Sequence, residues 1–128
     1  MGIFGSLFGS QNTKEEKELP WIALTSNDQL EEIEERSKVR PQFIFKHSTT
    51  CGISRMVLGM FSRNYSLDGN RADLYYLDLH AHREVSNEVG IRFQVLHQSP
   101  QLLVIKNGAT VFHASHGAIS ETNLEQFA

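Results

Sequence analysis

The sequence predicts an α/β fold: a mixed central sheet with helices on both faces, closed by a carboxyl-terminal β-hairpin and a last helix. Three observations carry this. Short runs of strand-forming residues alternate with stretches whose apolar residues repeat near every 3.6 positions. Asn107-Gly108 separates LLVIK from ATVFHA, and such a pair supplies the two left-handed positions of a tight hairpin turn. In QFIFKHSTTCGISRMVLGMF, residues 42–61, an apolar run ends in hydroxyl residues and a helical repeat begins at the cysteine.

Taken in order, MGIFGSLFGS holds three glycines in ten residues, which works against a stable helix. Residues 1–19 therefore read as a flexible tail, with a solvated charged run from Lys14 to Glu18, and residues 20–128 as the folded domain. Gly2 and Ser6 formally fit an N-myristoylation pattern, a short match that is frequent by chance. Trp21 to Leu24 is a first strand. Ser26 or Asn27 caps a helix to about Ser37 that turns Leu30 and Ile33 inward and Glu31, Glu32, Glu34 and Glu35 to water.

Pro41 breaks the chain before the central strand, Gln42 to His47. A helix from Cys51 to about Phe61 follows, with Ile53, Val57, Met60 and Phe61 expected on its inner side. Ser62 to Arg71 reads as loop, with helical continuation to Tyr65 as the alternative, and Ala72 to Leu79 as a strand covered on both faces. His82 to Val89 looks helical, stopped by Gly90. The hairpin strands come next, and Ser120 caps a final helix from Glu121 to Phe127.

Composition narrows the function. A chain of 128 residues that is 40% hydrophobic and 21% charged can bury a core without a metal or disulfide. A formal net charge of -3 with no basic patch argues against nucleic acid as a partner. One cysteine allows no intrachain disulfide and points to the cytoplasm, and no stretch reaches the length of a membrane span. His47, His80, His82, His113 and His116 show no three-ligand metal spacing, so no metal site is expected.

Cys51 is the candidate reactive group. In the first turn of a helix, behind Ser48, Thr49 and Thr50 as capping hydroxyls, its sulfur faces unpaired backbone donors and the positive end of the helix, which favour thiolate over thiol. Thr50 and Ser54 are candidates for hydrogen bonding at the helix start, and Gly52 leaves the sulfur's surroundings open. Lys46, His47 and Arg55 are candidates for electrostatic modulation. Ser54 stands where a two-cysteine motif carries its second sulfur. A hydroxyl forms no disulfide, so the site does not resolve a mixed disulfide alone.

The order of elements, Cys51 at the start of the helix after the second strand, and Ser99-Pro100 before the hairpin resemble the thioredoxin-like fold. That resemblance implies a cis bond at Pro100, beside Cys51, with the Ser99 backbone offered to an extended substrate. More narrowly, FKHSTTCGIS, YYLDLHAHREVSNEVG and HQSPQLLVIKNG together resemble the YtxJ-like family of monothiol bacilliredoxins over roughly residues 20 to 128. The family often has proline after its reactive cysteine; Gly52 departs from this, which bears on the redox potential.

The family resemblance implies an enzyme, a thiol-disulfide oxidoreductase that removes bacillithiol from S-bacillithiolated proteins. Cys51 would take the bacillithiol, which acts as co-substrate with no bound cofactor. A second bacillithiol or another external thiol reductant would then regenerate Cys51, and a monomer is favoured. Two other readings stand beside it. CGIS, with Lys46 five residues before the cysteine, is also similar to the CGFS signature of monothiol glutaredoxins, which implies an iron–sulfur cluster carrier. A thioredoxin-fold interaction module without catalysis is the third.

Overall fold

The computed structural model describes residues 18–128, so most of the expected tail, its apolar segment and its myristoylation pattern lie outside the described residues. The elements are β1 (Trp21–Ala23), α1 (Asp28–Arg36), β2 (Gln42–His47), α2 (Gly52–Asn64), β3 (Asp73–Asp78), α3 (Arg83–Arg92), β4 (Gln101–Lys106) and β5 (Ala109–Ser115). Two 3-10 turns, His116–Glu121 and Leu124–Phe127, close the chain. The sheet has five strands in the order β1-β3-β2-β4-β5, with β2 at its centre. β3 runs parallel to β1 and β2, whereas β4 is antiparallel to β2 and β5. This is the mixed sheet with a terminal hairpin that the sequence predicts.

Strand alternation sorts the core into two layers. Ile44, Tyr75, Leu77, Leu103 and Ile105 pack with Leu30 and Ile33 of α1 and Val85 and Val89 of α3. Phe43, Phe45, Leu74, Leu102 and Val104 face the other way, onto Val57 and Phe61 of α2 and Ile119 of the first 3-10 turn. The same parity fixes the end of β2. Lys46 shares the α3 face with Ile44, and His47 shares the α2 face with Phe45.

Several ends differ from expectation. At α1 neither Ser26 nor Asn27 caps through its side chain; Gln29 reaches back, its Oε1 accepting from the Thr25 and Ser26 amides at 2.7 and 3.1 Å. On α2, Val57 and Phe61 turn inward, but Ile53 is 56% exposed and Ser54 takes the fully buried position. α3 runs through Gly90 to Arg92, and the chain reverses at Gln94, which adopts φ 58°. Gly90 is used for a close approach: a Cβ there would stand 3.0 Å from the Val95 carbonyl, whose amide bonds to Gly90 O at 3.1 Å. The hairpin turn is as expected, with Asn107 and Gly108 at φ 53° and 82°. The last helix is not continuous. Ser120 Oγ donates to Gly117 O, and Asn123 accepts from the Glu125 amide, so two short turns replace it.

Candidate active site around Cys51

Register brings three segments to one edge of the sheet. Lys46 pairs with Gln101 across the antiparallel β2–β4 ladder, so Ser99-Pro100 enters β4 at the edge where β2 delivers Ser48 to Cys51. His47 pairs with Asp78 and the Leu79 amide donates to His47 O at 3.1 Å, so His80 arrives there from β3. The Ser99-Pro100 bond is cis, as the fold resemblance implies, and the buried Pro100 offers its carbonyl to the His116 amide at 3.1 Å.

Cys51 is a free, partly exposed thiol. It does not occupy the first turn of α2 but the N-cap position, with extended φ −109° and ψ 123°, and Gly52 opens the helix. The reason is local. The Cys51 amide closes a tight turn onto Ser48 O at 3.2 Å, and helical bonding starts with the Arg55 amide on Cys51 O at 3.1 Å. The amides of Gly52, Ile53 and Ser54 precede that first bond, so the sulfur still stands at the donor end of the helix.

The hydroxyl residues ahead of Cys51 do not cap α2. Ser48 Oγ lies 2.8 Å and Thr50 Oγ1 3.2 Å from His80 Nε2. The other ring nitrogen, Nδ1, lies 3.5 Å from Arg83 Nη2. A guanidinium only donates, so Nδ1 accepts and Nε2 carries the proton given to Ser48. Asp78 Oδ1 accepts from the His80 and Ala81 amides at 3.1 and 3.3 Å and fixes this loop in turn. His80 and Arg83 were not among the sequence candidates. The signal that could have found them is strand register, which aligns the ends of β2 and β3.

Ser54 is fully buried and ties the loop to the helix from below. Its Oγ accepts from the Ser48 amide at 3.0 Å and lies 2.8 Å from His47 Nδ1. With one lone pair taken, the hydroxyl proton is free to be given to Nδ1, which selects the Nε2–H tautomer of a neutral ring. Burial pushes the His47 pKa below its ordinary value; Arg55 and His80 add to this and Asp78 opposes it. Arg55 folds back over the loop, its Nη1 donating to Thr49 O at 3.3 Å.

Lys46 points to the opposite face of the sheet. It is fully buried, donating from Nζ to Ser86 O at 3.1 Å and meeting His97 Nδ1 at 3.3 Å. No carboxylate is paired with it among the described residues, and burial lowers its pKa from 10.5 to about 8. Among the described residues there is also no group of three or more His, Cys, Asp or Glu side chains that could hold a metal ion. No helix among them is long and apolar enough to cross a membrane.

A five-stranded mixed sheet with a lone, partly exposed cysteine at the start of the helix after its central strand defines a thioredoxin-fold protein of the monothiol kind. The comparisons agree. A structure described as a proposed oxidoreductase with a thioredoxin fold is 35% identical, with a TM-score of 0.69 over 83% of this chain and 91% of that one. The Malassezia sympodialis thioredoxin Mala s 13 (20% identity, TM-score 0.64, 82% and 85% covered) and the Schistosoma mansoni thioredoxin pre-protein (20%, 0.63, 84% and 98%) share the fold. The family model for the monothiol bacilliredoxin BrxC matches residues 22–124. The chain belongs to the monothiol bacilliredoxin family.

Proposed function

We propose that this chain is a thiol-disulfide oxidoreductase that removes bacillithiol from S-bacillithiolated proteins in the cytoplasm. The observation that carries this is the single thiol, Cys51, partly exposed at the N-cap of α2 in a chain of this family. Its thiolate attacks the bacillithiol sulfur of a protein mixed disulfide. That S–S bond breaks, the protein thiolate leaves and takes a proton, and a new S–S bond joins Cys51 to bacillithiol. Cys51 is thus the attacking group in this step and the leaving group when it is regenerated.

Regeneration needs a second thiol. Ser54 lies three residues on but is a hydroxyl, fully buried and engaged with Ser48 and His47. A second bacillithiol therefore attacks the bacillithiol sulfur on Cys51 and releases bacillithiol disulfide, and an external reductant supplies the two electrons that return it to thiol. The edge where β4 starts, at Ser99 and cis-Pro100, offers extended backbone for the client polypeptide next to the loop.

The test is mass spectrometry of a bacillithiolated client protein mixed with wild type or Cys51→Ser. Wild type strips the modification and gains one bacillithiol mass on Cys51. Equal stripping by the serine variant rejects the mechanism.

A further inference from the structure

Arg55 and Arg83, on either side of the reactive loop, are held unlike most of the other arginines among the described residues. Arg36, Arg40, Arg71 and Arg92 each sit within 4 Å of a carboxylate. Arg55 and Arg83 make no ion pair among the described residues, and both lean on the reactive loop instead. Arg55 donates to Thr49 O at 3.3 Å, and its Nη2 would stand 4.0 Å from a Cβ at position 52. Arg83 reaches His80 Nδ1 at 3.5 Å, and His80 in turn holds Ser48 and Thr50. The loop is thus flanked by one guanidinium on its α2 side and another on its α3 side.

Each guanidinium has five N–H donors in a planar fork. With one hydrogen-bond contact apiece, both forks remain able to take a carboxylate side-on. Asp78 at the end of β3 is turned to the His80 and Ala81 amides and makes no ion pair with either arginine. All this occurs on a chain whose formal net charge is -3, so the positive rim at Cys51 is local.

We propose that Arg55 and Arg83 form a carboxylate-recognition rim that selects the anionic end of the small thiol transferred to Cys51. This deepens the bacillithiol reading and rests on it: bacillithiol carries the two carboxylates of a malate group, which the paired forks can grip while the sulfur meets Cys51. His80 acts as a positioning residue, since its acceptor nitrogen aims Arg83 and its donor nitrogen fixes the loop.

The experiment measures transfer to the full-length chain from one peptide carrying either bacillithiol or neutral mercaptoethanol as its mixed disulfide. Arg55→Gln/Arg83→Gln is expected to slow bacillithiol transfer by about three- to tenfold, in the range that exposed charge pairs reach, with mercaptoethanol transfer unchanged. Arg83→Lys with Arg55 intact keeps the charge but not the fork, and is expected to fall between wild type and the double variant in its preference. Arg63→Gln, the same charge change on an arginine without an ion pair farther along α2, keeps all of it. A double variant that loses both transfers equally, or neither, overturns the rim. Wild type that accepts mercaptoethanol but never bacillithiol overturns the bacillithiol reading itself, and the rim with it.

Discussion

His47 Nδ1 and Ser54 Oγ lie 2.8 Å apart beneath the reactive loop, joining the last residue of β2 to the first turn of α2. Because the same hydroxyl accepts the Ser48 amide at 3.0 Å, one buried oxygen holds the strand, the loop and the helix together. Ser54→Ala leaves a buried amide and a buried imidazole without their partner. Unfolding free energy should fall by about 1–3 kcal/mol, read from the urea midpoint, and Cys51 should transfer more slowly as its loop loosens. A variant with wild-type midpoint and rate would show that the oxygen holds nothing.

Acid should loosen the same join. Burial favours neutral His47, so its folded pKa lies below the unfolded one. Between those two values the unfolded chain binds more protons, and stability rises with pH through that window. Taking wild type from pH 7 to pH 5 is therefore expected to cost stability through His47, and His47→Gln should show a smaller loss over the same step. His97, whose pKa burial also lowers, is common to both proteins and cancels in the difference. Equal losses in the two proteins would exclude His47 as the acid-sensitive group.

The succession of strands along the chain and the closing hairpin were legible in the sequence because β2, β3 and β4 carry dense apolar runs and Asn107-Gly108 is explicit turn chemistry. Helix ends were not. Thr50 and Ser48 look like caps by type, yet their hydroxyls are claimed by His80, which is 30 or more residues away in sequence. Gly90 looks like a stop by type, yet it serves a contact with Val95 that no local rule reveals. Cys51 and Ser54 were legible as a motif. That Lys46 and His47 diverge to opposite faces follows from strand period once β2 is placed, but what each meets, Ser86 or Ser54, depends on which helix covers which face.

Asp73 anchors the far end of the central strands. It accepts from Arg36 Nε at 2.9 Å and Gln42 Nε2 at 2.7 Å, with Arg40 at 3.8 Å. Burial works to raise its pKa, but the bonds from Arg36 and Gln42 and the charges of Arg36 and Arg40 hold it below the ordinary value. A depressed carboxylate stabilises above its unfolded pKa and loses that contribution as pH falls through the folded one. Arg36 is half-exposed, so water screens part of its share. Asp73→Asn should cost about 1–3 kcal/mol at pH 7, and the gap to wild type should close below about pH 4. A gap independent of pH would assign the loss to shape alone.

Lys46, at the other end of β2, also makes stability rise with pH, but in an alkaline window. An ammonium buried without a carboxylate is a standing cost, offset in part by Ser86 O and His97 Nδ1. Its folded pKa of about 8 lies below the ordinary 10.5, so the unfolded chain holds the proton more tightly between these values. The cost is complete below about pH 8 and is relieved as pH climbs toward 10.5. Lys46→Met keeps the length and apolar stem and removes the charge. Relative to wild type, the variant's stability advantage should be greatest near pH 7 and shrink by up to about 3 kcal/mol on raising the pH to 10.5. Because tyrosines that also titrate there are present in both proteins, the difference isolates Lys46. A difference that stays flat across this range would mean that the amine remains charged when buried, held by contacts other than Ser86 and His97.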